Sequence, residues 1–166
     1  MLGPNPLFNF YSSPDLHNAG EVIAYIDQGG LSLPDRDYYL KDDPKMAASR
    51  ASLVEYATQM FTLSGQSPQQ AATSAQSVLR IETALAKAAM DRTARRDPKT
   101  RDHKMIRAEA IALAPNFHLD RYFAAMGTPK FSSLNVSKPD FFKQVHGVLE
   151  SESLNALRTD VSSRPL

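Results

Sequence analysis

The chain has 166 residues, enough for one domain of ordinary size, and 42% of them are hydrophobic, enough to bury a core. Lys and Arg total 19 against 18 Asp and Glu, a formal charge of +1, so no strong field exists to gather nucleic acid or an anionic membrane. The absence of Cys excludes disulfides, thiolate nucleophiles and sulfur-ligated zinc, and leaves four His for metal or proton chemistry.

No apolar run approaches the roughly 18 residues of a membrane span, and Met1 to Phe10 lacks a basic region followed by an apolar one. From Asn5 to Asp15, two prolines and three aromatics read as a packed irregular arm. Val22 to Ile26 is β-branched and aromatic and stops at Gly29-Gly30, which predicts a strand closed by a tight turn. Its partner must come from Ser132 to Val136 or from outside the chain.

Beyond Asp43-Pro44, Met46, Leu53, Val54, Ala57, Met60 and Phe61 recur at helical spacing, with Asp43 as N-cap and Ser64-Gly65 as the stop. Ser67-Pro68-Gln69-Gln70 opens a second helix through a capping box. Its stripe is Ala71, Ala75, Val78, Leu79, Leu85, Ala86 and Ala89. Arg92 to Arg107 is a basic connector that Pro98 interrupts. Helices resume from Ile106 to Leu113, around Leu119 to Met126 before Gly127, and from Ser137-Lys138-Pro139-Asp140 through Leu149, with a last short one near Leu154 and Leu157. The pattern predicts a mainly α fold of five or six helices, all-α but for one small β-strand element, in a single partial domain over residues 1–166.

Two His on one helical face at i, i+3 or i, i+4 would mark a zinc site, and His17, His103, His118 and His146 contain no such pair. His146 and Glu150 are four apart, which reads as an ordinary helix pair. No Ser sits in a G-x-S-x-G turn, and Gly29-Gly30 lacks the spacing and lysine of a phosphate loop. Glu82 is the unusual position: helical spacing sets it on the apolar stripe, which implies a buried carboxylate. It reads either as a general base or, preferred here, as one half of a buried ion pair with Arg95 or Arg96. The connector has no aromatics for base stacking, so its charges read as solvated or paired within the chain rather than as a nucleic-acid site.

Gly29-Gly30-Leu31-Ser32-Leu33-Pro34-Asp35-Arg36-Asp37-Tyr38-Tyr39-Leu40 resembles a signature of the neprilysin-like zinc metallopeptidases, peptidase family M13. Asn5-Pro6-Leu7-Phe8, Glu82 to Ala86, Arg95-Arg96-Asp97-Pro98, His103-Lys104-Met105, Asn135-Val136 and Pro139 to Phe142 continue the likeness in order, so it covers about Asn5 to Thr159. The resemblance implies an internal piece of the N-terminal half of a secreted, periplasmic or envelope-associated bacterial peptidase that cuts short peptides in a closed cavity. The family's H-E-x-x-H zinc motif and Asn-Ala substrate segment do not occur here, so no catalytic, metal or substrate residue carries over. The expectation is a chain inactive alone and without a cofactor of its own, from a parent that uses zinc. Residues 160–166 depart from the family pattern, which is consistent with a truncated product, an excised domain or an altered terminus.

Within the motif, Pro34 sets a turn, Asp35 or Asp37 bonds nearby N–H groups or Arg36, and Tyr38 and Tyr39 supply buried area with a polar end, so the segment reads as a fold-determining corner. The expected partners are the missing catalytic half and, through exposed apolar surface, other copies of the chain. The alternative is a free-standing helical module that binds a peptide or protein. A third, weaker reading is phosphate or nucleic-acid binding along Arg92 to Arg107.

Overall fold

Local chemistry at the chain's turns sets most of its element boundaries. In order, the elements of the computed structural model, which describes residues 7–151, are β1 (Phe8–Pro14), β2 (Val22–Gln28), a one-turn α1 (Asp37–Leu40), α2 (Pro44–Leu63), α3 (Pro68–Ala88), β3 (Lys104–Ile106), α4 (Arg107–Leu113), α5 (Leu119–Ala125), β4 (Ser133–Val136) and α6 (Pro139–Ser151). Short 3-10 turns fill Ala94–Arg96, Pro98–Arg101 and Pro115–Phe117. The Asp43 side chain accepts from Lys45 N at 2.8 Å and Met46 N at 3.3 Å at the start of α2. Ser67 and Gln70 form the reciprocal capping box of α3. Gly65 and Gly127, with φ of 96° and 62°, follow the helices they terminate. The short helix expected near Leu154 and Leu157, and residues 160–166, lie outside the described residues.

Among the described residues the fold is mainly α with six helices, but its β element is a mixed four-stranded sheet of order β1-β2-β4-β3, so an all-α description is incorrect. β2 pairs with β4 in parallel, the partner within the chain that the sequence offers, and also with β1 in antiparallel register, Phe10 opposite Ile26. The expected irregular arm is therefore a strand over Phe8–Pro14. Pro14 stands at its end rather than inside it, and Phe8 and Phe10 face the core while Asn9 and Tyr11 face out. β3 adds to β4 in antiparallel register, Met105 opposite Leu134.

The inner sheet face, with Phe8, Ile26, Leu134 and Val136, packs on Ile81 and Leu85 of α3, Leu119 and Phe123 of α5, and Phe141, Phe142 and Val145 of α6. Phe8 meets Tyr122, Phe117 and Phe142 edge-on at centroid distances of 5.0, 5.5 and 5.9 Å. Each fully buried Phe contributes about 1.5–3 kcal/mol relative to exposure. A second cluster, Ala57, Phe61, Ala71, Ala75 and Val78, closes the α2/α3 hairpin. The α2 residues expected on one face divide into two stripes: Val54, Ala57 and Phe61 turn toward α3, while Met60 is 38% exposed.

The outer sheet face is covered by the basic connector. Arg101 donates to Tyr11 OH at 2.9 Å and lies 3.3 Å from Asp27, and its carbonyl accepts from Asn135 Nδ2 at 2.8 Å. Lys104 is paired with the buried Asp15, and Arg92 with Asp35. Intramolecular pairing thus occupies these cations.

Candidate functional site

The Gly29–Leu40 segment joins β2 to α2 and is tied down along its whole length. At its start, the buried Gln28 uses both ends of its amide on Met90, just after α3: Met90 N donates to Oε1 at 2.6 Å and Nε2 donates to Met90 O at 3.3 Å. A Cβ on Gly29 would lie 2.9 Å from the Phe8 Cα, so this strand exit requires glycine. Gly30 has φ 81°, where a side chain would strain the backbone. Further on, Asp35 Oδ1 accepts from Asp37 N at 2.8 Å, an Asx turn that leads into α1.

The centre of the segment is held by Glu82, fully buried on α3. Ser32 donates to its carboxylate from both N at 3.0 Å and Oγ at 2.6 Å, and Tyr39 OH donates to Oε2. Tyr39 OH in turn accepts from Leu33 N at 2.9 Å, so one carboxylate and one phenol gather both sides of the Leu33-Pro34 corner. Burial, and next the Glu82 carboxylate, push the Tyr39 hydroxyl well above its ordinary value and keep it a neutral donor. The sequence expectation for Glu82 is an ion pair with Arg95 or Arg96. Instead the structure brings Ser32 and Tyr39 to it, while Arg95 lies 4.0 Å from Asp27 and Arg96 is exposed. The reason is topological: the connector crosses the outer face of the sheet, whereas Glu82 points under the loop. Tyr39 is 43 residues from Glu82 and Ser32 is 50, separations that helical spacing does not encode. The signal within reach of the sequence is that a carboxylate on an apolar stripe requires polar partners.

Arg36 donates from Nη1 to the carbonyl of Ala89, the C-cap of α3, at 2.6 Å, where the negative end of the helix dipole favours a cation. Asp37 pairs with Lys41 at 2.7 Å, and that hydrogen bond holds its carboxyl below the usual range. Tyr38, half-buried, offers its carbonyl to Arg50 at 2.8 Å. Between Leu33-Pro34-Asp35-Arg36, the end of α3 and the turn carrying Arg92 and Arg95 lies an open cleft of about 240 Å³.

The four histidines are dispersed. His17 lies 2.9 Å from Asp102, His146 lies 3.5 Å from Glu150, and His118 adopts a left-handed φ of 47° before α5. His103 offers its backbone N–H to Asn135 Oδ1 at 2.8 Å. Among the described residues no group of three or more His, Asp or Glu side chains is placed to hold a metal ion. Glu82 and Tyr39, the titratable groups at the centre of the motif, are buried under the loop they hold and act on that loop. Among the described residues no helix is long and apolar enough to cross a membrane.

Comparison with known proteins agrees with the signature. The N-terminal region of peptidase family M13 matches residues 1–163. The chain belongs to peptidase family M13. It is 36% identical over 112 residues to endothelin-converting enzyme 1 of Cavia porcellus, covering 67% of this chain and 15% of that enzyme. It is 30% identical over 154 residues to endothelin-converting enzyme 1 of Rattus norvegicus, covering 89% of this chain and 20% of that enzyme. The open-state cryo-EM structure of the zinc metalloprotease Zmp1 from Mycobacterium tuberculosis shares the fold, with a TM-score of 0.88 at 23% identity over 96% of this chain and 25% of that one. The M13 chain described here thus spans a fifth or less of the length of these curated relatives.

Proposed function

We propose that this chain is the part of an M13 zinc metalloendopeptidase that walls the cavity for short peptides, and that it performs no hydrolysis alone. The observation that carries the reading is the Glu82 clasp. The family signature and the Glu82 to Ala86 segment meet in one buried network whose titratable groups hold a corner, and none of them is presented to a substrate. Zinc peptidase chemistry needs a metal with an open coordination position and a base beside its water. In this reading those groups come from the remainder of the M13 parent.

A surface feature supports the same reading. Met46, Ser49, Leu53, Tyr56, Met60 and Leu63 are spaced alternately by three and four residues along α2, the pattern of a helix that packs on another helix. Tyr56 is 43% and Leu63 83% exposed, and beside them lies an apolar groove of about 520 Å³ floored by Leu33 and Leu53. Such a stripe suits a surface that further M13 sequence covers.

The test is zinc content and cleavage of a mixed short-peptide library, measured on one purified sample of the chain. The expected result is neither stoichiometric zinc nor cleavage. Zinc bound one to one together with metal-dependent cleavage would overturn the proposal. Tight peptide binding by a compact monomer without cleavage would favour the free-standing binding module.

A further inference from the structure

The cleft beneath the Leu33-Pro34-Asp35-Arg36 corner carries more positive charge than its surroundings neutralise. Arg36, Arg92 and Arg95 line it against one wall carboxylate, Asp35, which pairs with Arg92. Asp27, buried behind Arg95, is met more closely by Arg101, at 3.3 Å against 4.0 Å from Arg95. The Arg95 ion pair with Asp27 is beyond hydrogen-bond distance, so it leaves guanidinium N–H groups available to a closer acceptor. Arg36 is oriented by its 2.6 Å bond from Nη1 to the Ala89 carbonyl, which occupies one of its donors. The floor is rigid, because Gly29 is pressed on the Phe8 backbone and Gln28 is clamped at both ends to Met90. Two planar, fixed-fork cations at a preformed cleft are the arrangement that recognises a planar or tetrahedral oxyanion in bidentate fashion.

We propose that this cleft is a binding site for a small oxyanion, either a free carboxylate such as a peptide C-terminus or a phosphate, with Arg95 and Arg36 as the donors and Arg92 recruited from Asp35 on binding. The site depends on charge and shape local to the loop and stands apart from the peptidase reading. It also differs from the rest of the connector, where Arg101 and Lys104 pair with Asp27 and Asp15 and where Arg96 and Lys99 are exposed.

The experiment is a titration of the chain followed by amide chemical shifts at low ionic strength. One arm uses inorganic phosphate, and another uses a short acetylated peptide with a free C-terminus beside its C-terminal amide. The expected result is saturable binding of at least one oxyanion, shifts centred on residues 29–36 and 89–95, and weakening by about tenfold or more in Arg95→Ala, since each charge-assisted bond is strong. The Arg95 side chain is 46% exposed and its ion pair with Asp27 is long, at 4.0 Å, so its variant is expected to melt close to wild type. Arg92→Ala serves as the second variant, with weakening expected there as well. Phosphate binding without peptide binding identifies a phosphate source; loss of binding on amidation identifies a peptide terminus. No saturable binding of either probe, or equal affinity in wild type and Arg95→Ala, would overturn the proposal.

Discussion

Tyr39 shows how one side chain can be at once core and hinge pin. Its ring is buried, its hydroxyl donates to Glu82, and the same oxygen accepts from Leu33 N. Replacing it with Phe leaves a buried carboxylate short of a donor and an N–H short of an acceptor, at a cost of about 1–3 kcal/mol for such unsatisfied groups. Urea unfolding at neutral pH checks this. A pH dependence follows with a definite sign. The folded-state pKa of Tyr39 is raised above the ordinary 10.0, so below that pH both folded and unfolded forms keep the proton and nothing changes. Above it the unfolded chain ionises first, and stability falls as pH rises. Tyr39→Phe is therefore expected to show a shallower alkaline loss than wild type, although it starts less stable. The sequence suggests Tyr39 as buried area with a polar end and Glu82 as a buried carboxylate. It does not join the two, because their separation in the chain carries no period.

At the scale of elements, the helices were legible because their ends are local. Asp43, Ser67 with Gln70, and the glycines at 65 and 127 act within one turn of themselves. The strands were less so. β3 is three residues long inside a basic connector, and β1 contains no β-branched residue; each becomes a strand because a neighbour offers unpaired backbone groups. One polar contact pins β3 to the β1/β2 hairpin. Lys104 pairs with Asp15, whose carboxylate also accepts from His17 N at 3.0 Å. The Lys104 bond, then the His17 N–H, hold the Asp15 carboxyl below its ordinary 3.8. A depressed acid contributes stability above the unfolded value and loses it as pH falls from about 4 through the lower folded value. Lys104→Met is expected to flatten that acid limb, to be read from melting temperature between pH 2 and 6.

At the scale of the whole molecule, the two apolar stripes of α2 set an expectation for behaviour in solution. The inner one closes on α3, and the outer one is solvent-facing over Tyr56, Met60 and Leu63. Self-association that rises with concentration is the expected consequence. Met60→Glu with Leu63→Glu is expected to reduce it while changing unfolding free energy by no more than about 0.5 kcal/mol per site, as for surface positions generally. Sedimentation velocity of the two forms over a concentration series checks this, and equal association in both would place the sticky surface elsewhere.

Taken alone, the sequence determined the family, the helix boundaries and the corner at Pro34, since a twelve-residue signature, capping residues and turn residues all act through near neighbours. It also determined that Glu82 would be buried, because helical spacing sets its face. Only the tertiary structure decided what Glu82 bonds to, which cations the connector lends to Asp15, Asp27 and Asp35, and that β1 and β3 are strands. Those outcomes depend on which segments the four-stranded sheet and the helices packed on it bring within 3 to 4 Å, and contact between distant segments leaves no period in the chain.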